Sequence, residues 1–357
     1  MFESSNGDFD IQKNHINGKG EFVITAGLSH NGIFGKTDVP AKIFNAKTIT
    51  IDMFGNAFYR QFKYKIVTHA RVFSLKPLFN LTDSQGLFFS ITLHFLHFYF
   101  GYENMCSWEK IKDFDIQLPL TPTSEIDFDF MESFIREIEA ERMRELNAYL
   151  QTTGLKDYEL TTAEQQALNA FEHLEWGEYK IGDLFEKLNL SFNKSKFNKN
   201  TDISKSSNAE FSLPLVNAKD GNNGIMYYGR PEDFESAKMT IDIINDGAIS
   251  AGNVYSQPQE TGVLYNAYLI KPKFYISTNL LHFFTVAIRK SIKMKFSYEL
   301  KATWERVKKE TIYLPTNNST PDYAAMETLI SAVQKLVIKD VVQYTDKRIA
   351  ATAQMVK

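Results

Sequence analysis

Apolar positions along the chain keep two different periods, and each period occurs twice. Short β-branched runs, Thr48-Ile49-Thr50-Ile51 and later Met239-Thr240-Ile241-Asp242-Ile243-Ile244, are set between Gly- and Asn-rich turns and predict strands. Apolar stretches near residues 84–100 and 277–292 follow and predict buried helices. The period then lengthens. Met131, Ile135, Ile138, Arg142, Leu146 and Tyr149 are spaced by threes and fours, and Met326, Ile330, Val333, Val337, Val341 and Tyr344 keep the same spacing 195 residues later. Such a stripe is the seam of a coiled coil or helix bundle, so two helices that pack on each other through it are expected. Pro122 or Pro321 precedes each helix, and Asp129 or Asp322 lies near its start.

The same offset runs through the rest of the chain. Trp108-Glu109-Lys110-Ile111-Lys112-Asp113-Phe114-Asp115-Ile116-Gln117-Leu118-Pro119 returns as Trp304-Glu305-Arg306-Val307-Lys308-Lys309-Glu310-Thr311-Ile312-Tyr313-Leu314-Pro315, with six of twelve positions identical. Asn31-Gly32-Ile33 is matched by Asn223-Gly224-Ile225, Lys76-Pro77 by Lys271-Pro272, and Thr50-Ile51-Asp52 by Thr240-Ile241-Asp242. A period near 195 residues is too long for a solenoid and means two copies of one domain. Met1-Phe2-Glu3 aligns with Leu184-Phe185-Glu186, which leaves the first copy without a counterpart of Trp176 to Asp183.

Composition narrows the class. The chain of 357 residues is 43% hydrophobic, with 29 Phe, enough for two folded domains. Cys106 is the only cysteine, so an internal disulfide and a cysteine-based zinc site are excluded, and a reducing, cytoplasmic location is expected. No secretory leader is read at Met1–Asn6, and the apolar run from Leu87 to Tyr102 is too short to span a membrane. The net charge of −3 is unevenly spread: residues 1–120 carry +1, 121–175 carry −9, 176–315 carry +4 and 316–357 carry +1. Mildly basic domains on either side of one acidic segment permit contact with nucleic acid; a solvated acidic helix between ordinary domains fits equally well.

A variable domain followed by a conserved helix, twice over, resembles the DNA-specificity subunits of type I restriction–modification enzymes and the related type IIB recognition subunits. The resemblance is carried by the two Trp-Glu-x-[Ile/Val]-Lys…Ile-x-Leu-Pro segments. The helix openings Phe128–Ile135 and Tyr323–Ile330, and the entry segment Trp176-Gly177-Glu178-Tyr179-Lys180-Ile181-Gly182-Asp183-Leu184-Phe185, complete it. It implies an α+β chain of two tandem pseudo-symmetric α/β target-recognition domains separated by two long antiparallel helices, a coiled coil. The expected divisions are recognition domain 1 at 1–120, central helix and linker at 121–175, recognition domain 2 at 176–315 and a C-terminal helix at 316–357. It implies a non-catalytic subunit that reads a bipartite, asymmetric site on double-stranded DNA. Its partners would be methyltransferase subunits, which carry the S-adenosylmethionine, and a restriction subunit; no cofactor and no membrane contact belong to this chain. A helix from Met131 to Leu150 spans ~30 Å, comparable with the ~34–36 Å between half-sites one DNA turn apart.

Candidate chemistry agrees with a binding protein. A methyltransferase needs a glycine-rich cofactor loop and an Asn/Asp-Pro-Pro-aromatic segment, and a translocating ATPase needs a Walker loop; none is present. Glu178-Tyr179-Lys180 and Glu299-Leu300-Lys301 mimic part of a nuclease motif, but such triplets are frequent by chance. His94 and His97 fall in an apolar stretch, which favours packing over metal ligation. Candidate DNA contacts are Lys194, Lys196 and Lys199 in the stretch 193–200, Lys13, Asn14, Asn17 and Lys19 at the matching place in the first copy, and Lys219, Asn222 and Arg230. Lysines suit phosphates and asparagines can pair with adenine, while a solvated polar loop accounts for the same residues. Asn31 and Asn223 are read as turn residues with positive φ. Glu137, Glu141 and Glu145, in the acidic segment, are candidates for binding a basic partner surface.

Overall fold

In the computed structural model, residues 1–192, 195 and 197–355 are described, and they form two compact units. Unit 1 comprises residues 1–149 and 345–357, and unit 2 comprises residues 150–344.

Unit 1 begins with β1 (Phe2–Asn6), β2 (Glu21–Ile24), β3 (Ile33–Thr37), β4 (Thr48–Ile51), β5 (Ala57–Arg60), β6 (Tyr64–Ile66) and β7 (Phe73–Pro77). These make two sheets, of order β1-β7-β4-β5 and β3-β2-β6. The helices α1 (Asp83–Thr92), α2 (Trp108–Ile111) and α3 (Phe128–Thr152) follow. The expected helix over 84–100 is α-helical only to Thr92 and continues as a tighter 3₁₀ segment, Leu93–Phe98. Ile49, Ile51, Phe73 and Leu75 from the first sheet meet Phe89 of α1, Leu96 and Met131 of α3 in one core.

Unit 2 opens with α4 (Thr162–Ala170), β8 (Trp176–Lys180), α5 (Ile181–Leu184) and β9 (Phe185–Lys187). The strands β10 (Ile203–Ser204), β11 (Leu213–Val216), β12 (Ile225–Gly229), β13 (Ser236–Ala237), β14 (Thr240–Ile244), β15 (Val254–Gln257), β16 (Thr261–Val263) and β17 (Ala267–Pro272) come next. The unit continues through α6 (Thr278–Ile292), α7 (Trp304–Val307), β18 (Thr311–Asn317), β19 (Thr320–Pro321) and α8 (Tyr323–Met355). Its sheets have the orders β9-β17-β14-β15, β10-β12-β11-β16-β13 and β19-β18-β8.

The duplication is visible strand by strand. The first sheet of unit 2 repeats that of unit 1, and β12-β11-β16 repeats β3-β2-β6, including the parallel pairing of β2 with β6 and of β11 with β16. Both hairpins even carry their register shift at the same place, Val23/Ile24 and Leu215/Val216. Register also corrects one sequence match. Leu75 faces Ile49 and Ile270 faces Ile241, so Thr48-Ile49-Thr50-Ile51 corresponds to Thr240-Ile241-Asp242-Ile243. The counterpart of Asp242 is therefore Thr50, not Asp52. Alternating apolar residues survive a two-residue slip without changing face, which is why the sequence match could drift.

Helix starts are duplicated as well. The Thr82 hydroxyl accepts from the Gln85 amide at the start of α1, and Ser277 accepts from Leu280 at the start of α6. Each of these hydroxyls also donates to a glutamate in the second turn of the following long helix, Glu132 or Glu327. The caps of α3 and α8 are Asp127 and Asp322, whose carboxylates accept from the Phe130 and Ala325 amides, and Asp129 is only a first-turn residue.

The positions of the helical stripe differ in burial. Met131 and Met326 are fully buried, but in the cores of their own units. Ile135 is 5% exposed, Leu146 and Ile330 are half-buried, Ile138, Tyr149, Val333, Val341 and Tyr344 are exposed, and Val337 is 73% exposed. Arg142, the polar member of the series, is at the surface and pairs with Glu145 at 2.6 Å. The helix α4, which falls in the stretch 121–175, packs within unit 2. There the Ser331 hydroxyl donates to Glu164 at 2.6 Å, and Lys335 bridges Glu164 at 3.2 Å and Asp157 at 2.9 Å. In unit 1, Arg348 near the end of α8 pairs with Glu139 of α3.

Candidate nucleic-acid interface

Two tight turns, one per unit, are built alike and differ in what lies beneath them. Asn31 has φ 54° and Asn223 has φ 49°, the left-handed conformation their type tolerates. Gly32 and Gly224 follow at φ 73°. Below the first turn is Arg60, buried in β5, which donates through Nη2 to the Asn31 carbonyl at 2.8 Å and through Nε to the Thr50 hydroxyl at 2.9 Å. Burial lowers its pKa to about 10, against the opposing pull of Tyr64 and Asp52, and it remains a cation at neutral pH. In unit 2 the Gln257 amide takes that place and donates to the Asn223 carbonyl at 2.7 Å. Where Thr50 stands in unit 1, unit 2 has Asp242, fully buried, with both carboxyl oxygens unpartnered and a pKa driven well up by burial. A β-carbon at Gly224 would lie 2.3 Å from Asp242 Oδ2, so the turn rests directly on that carboxyl. Arg60, Gln257 and Asp242 were not singled out from sequence; only the strand register shows that they support matching turns.

The sequence candidates divide by how their side chains are used. In unit 1, Lys13 and Asn14 lie on an exposed 3₁₀ turn, Lys13–His15. Asn17 is a structural residue: its amide donates to Asp38 at 2.7 Å and its side-chain oxygen accepts from the Lys19 amide at 3.0 Å. The side chain of Lys19 is exposed. In unit 2, Lys194 and Lys196 lie outside the described residues. Lys199 is exposed, with its ammonium 5.2 Å above the Tyr227 ring. Asn222 donates to the Ile225 carbonyl at 3.0 Å at the turn itself, and Lys219 is exposed just before it. Arg230 is committed elsewhere. It reaches Asp202 at 3.6 Å, Glu210 at 2.7 Å and Asp233 at 3.2 Å, donates to the Thr201 carbonyl and lies 4.7 Å from the Phe211 ring centre. With those partners it braces the β10–β12 edge, and its donors are occupied.

Among the described residues no group of three or more His, Cys, Asp or Glu side chains is placed to hold a metal, and no helix is long and apolar enough to cross a membrane. A cavity of about 920 Å³ in unit 2 is lined by apolar residues including Phe171, Trp176, Val286 and Val333, and by no carboxylate. A nucleoside cofactor bound through its ribose hydroxyls needs such an acidic partner, so the lining does not fit S-adenosylmethionine. On the long helices, Glu137 and Glu141 are exposed on α3, while Glu145 is paired with Arg142.

Comparison with known proteins gives a consistent answer. Residues 1–148 and 173–343 match the family described as the type I restriction modification DNA specificity domain. The specificity subunit of the type II restriction enzyme BgcI, S.BcgI of Heyndrickxia coagulans, is 23% identical over 335 residues, covering 92% of this chain and 90% of that protein. Among solved structures, the S subunit of a type I restriction-modification system from M. genitalium aligns with a TM-score of 0.53 at 15% identity, over 99% of this chain and 91% of that one.

Proposed function

Because the chain belongs to the type I restriction modification DNA specificity family, we propose that each unit reads one half of a bipartite, asymmetric DNA site, and that the long helices dock the methyltransferase subunits acting there. Members of this family are the non-catalytic specificity subunits of restriction–modification systems. The observation that carries the finer reading is the duplication of a whole unit down to its sheet orders, its register shift and its supported Asn-Gly turn. Two copies of one scaffold with different buried supports, Arg60 in one and Gln257 with Asp242 in the other, are suited to two different half-sites. Lys13, Asn14 and Lys19 in unit 1, and Lys199, Lys219 and Asn222 in unit 2, are the proposed contacts. The lysines neutralise phosphates and the asparagines lie near base edges.

Partner docking is supported by apolar residues exposed on both helices. Val333, Val337 and Tyr344 are exposed on α8, and Phe130, Phe134 and Ile138 on α3. Exposed apolar surface of this kind marks an interaction site. S-adenosylmethionine is held by the methyltransferase, and a restriction subunit joins the same complex. The test is a domain exchange. Residues 176–315 are replaced with the second recognition domain of another family member, and the methylated motif is read by sequencing in cells. One altered half-site at an unchanged spacer is expected; alteration of both halves would refute independent reading.

A further inference from the structure

Each unit ends its core helix in a tip that holds a large apolar side chain in water. In unit 1, Gly55 at φ 80° lies against the end of the 3₁₀ segment after α1, where an added β-carbon would stand 2.8 Å from the Leu96 carbonyl oxygen. In unit 2, Gly252 at φ 75° lies in the same way against the end of α6, and its β-carbon would stand 3.4 Å from the Ile292 carbonyl oxygen. Phe98 and Met294, each two residues further on, are therefore equivalent positions. Phe98 is 79% exposed, the most of any large apolar side chain described in unit 1, and Met294 is 92% exposed.

These tips stand at the ends of the units that carry the Asn-Gly turns. In unit 1, Asp52 accepts from the Gly27 amide at 2.8 Å and the Phe54 amide at 2.9 Å, which ties the loop of Asn31 to residues 52–56. The Phe54 ring meets Tyr102 edge-on at 5.0 Å, and the Cys106 amide donates to the Met53 carbonyl at 2.8 Å. In unit 2, the Asn253 amide group donates to Asp220 at 2.7 Å, beside the turn, and the Lys293 ammonium donates to the Ile249 carbonyl at 2.8 Å. More apolar side chains are exposed around both tips: Leu28 and Tyr102 in unit 1, Ile249 and Tyr298 in unit 2.

Cations belong to the same ends. Arg71 is exposed and lies 2.9 Å from the Met105 sulfur in unit 1. In unit 2 they are Lys219 and Arg289, the latter 5.9 Å from the ring of Tyr255, whose hydroxyl accepts from the Gly221 amide. Glu103 and Asp220 are the exposed acids nearby. The two tips share a backbone position but not a residue. A partner surface common to both units would meet the same residues twice, as the Trp-Glu segments and helix caps are repeated, whereas two unlike half-sites meet unlike ones.

We propose that Phe98 and Met294 are wedges that enter the DNA stack, one at each half-site. Each partly unstacks one base step and so fixes where its Asn-Gly turn lies along the groove. The inference rests on the reading that each unit binds one half-site, and it names the side chain that opens the duplex there. Apolar side chains held out beside phosphate-binding cations act in this way on base steps.

The experiment uses the full chain in complex with its methyltransferase subunit, without S-adenosylmethionine, and duplexes carrying the motif that the complex methylates in cells. 2-Aminopurine, which brightens when unstacked, replaces one base at a time in each half-site, the methylated base excepted. One position in each half brightens with the parent complex. Phe98→Ala dims that position in one half and Met294→Ala in the other, and each weakens binding about tenfold, as loss of a stacking contact with a base does. The slope of log K against log salt stays unchanged, because an apolar side chain neutralises no phosphate. Both variants keep the melting temperature of the parent, since both side chains are exposed. Unchanged affinity, a parent complex that brightens no position, or variants that leave the brightening in place overturn the wedges and leave half-site reading intact. Dimming of the same half by both variants does so too. Loss of the methyltransferase subunit from either variant assigns the tips to a protein partner and also overturns them. A parent complex that binds the motif no more tightly than unrelated DNA overturns half-site reading itself.

Discussion

Asp242 ties the fold of unit 2 to pH in a way that can be worked out in advance. It sits in the central strand β14, between Tyr255 of β15 and Leu269 of β17, with no solvent exposure and no partner for either carboxyl oxygen. Unit 1 uses a neutral hydroxyl at this position, Thr50, and satisfies it with Arg60. Burial without a cation raises the folded pKa of Asp242 well above its ordinary value. As pH rises, the unfolded state releases this proton first, near the model-peptide value of ~3.9, while the folded state keeps it. The folded state then binds more protons than the unfolded one, so stability falls with pH by about 1.4 kcal/mol per unit. The fall starts at the unfolded pKa and ends at the raised folded one. Asp242→Asn, or Asp242→Thr to copy unit 1, removes that slope and leaves the variant relatively more stable at pH 7 than at pH 5. The assay is denaturant unfolding of the full chain at pH 5, 6 and 7, comparing each variant with the parent so that other titrations cancel. Parallel stability–pH lines for parent and variant would refute the account.

Other substitutions probe the remaining arguments. Val337→Asp, on the exposed surface of α8, leaves the melting temperature of the free chain unchanged but costs about 1.5 kcal/mol of partner affinity, on the order of tenfold in Kd by titration calorimetry. Arg60→Met removes the support of the Asn31 turn and leaves its carbonyl and the Thr50 hydroxyl without their donor, costing about 1–3 kcal/mol in chemical denaturation and relaxing selectivity at one half-site only. Gly86→Ala, although in a helix, destabilises unit 1 by at least ~1 kcal/mol, because the new β-carbon would stand 2.1 Å from the Tyr59 ring; unchanged thermal unfolding would contradict it. Lys199→Ala weakens DNA binding across all sequences, and the slope of log K against log salt drops by roughly 0.9 if the ammonium neutralises one phosphate.

Much of the architecture was legible in the chain because it is written twice. The Trp-Glu…Leu-Pro segments, the Asn-Gly turns and the 195-residue helical offset report local requirements: a capped helix, a left-handed turn, a buried apolar pair. Local requirements leave the same residue types at the same spacing in each copy. Burial of the stripe from Met131 to Tyr149 was a different kind of claim, since periodicity shows that a face is apolar but not what covers it. Met131 and Met326 are buried in the cores of their own units, Leu146 and Ile330 are half-buried, and Val337 and Ile138 are exposed. The supports of the turns were hidden for a related reason. Arg60 and Gln257 are unlike residues on strands separated from Asn31 and Asn223 by about thirty positions, and only the sheet register brings each to the carbonyl it holds. Arg230 reads from sequence as a candidate DNA contact, but folding closes three carboxylates and a carbonyl around it. Pattern and propensity thus determined which elements form and that they form twice, since these depend on neighbours along the chain. Which faces stay open, and which buried charge lies under which turn, depend on contacts between distant segments, and those the tertiary structure alone decided.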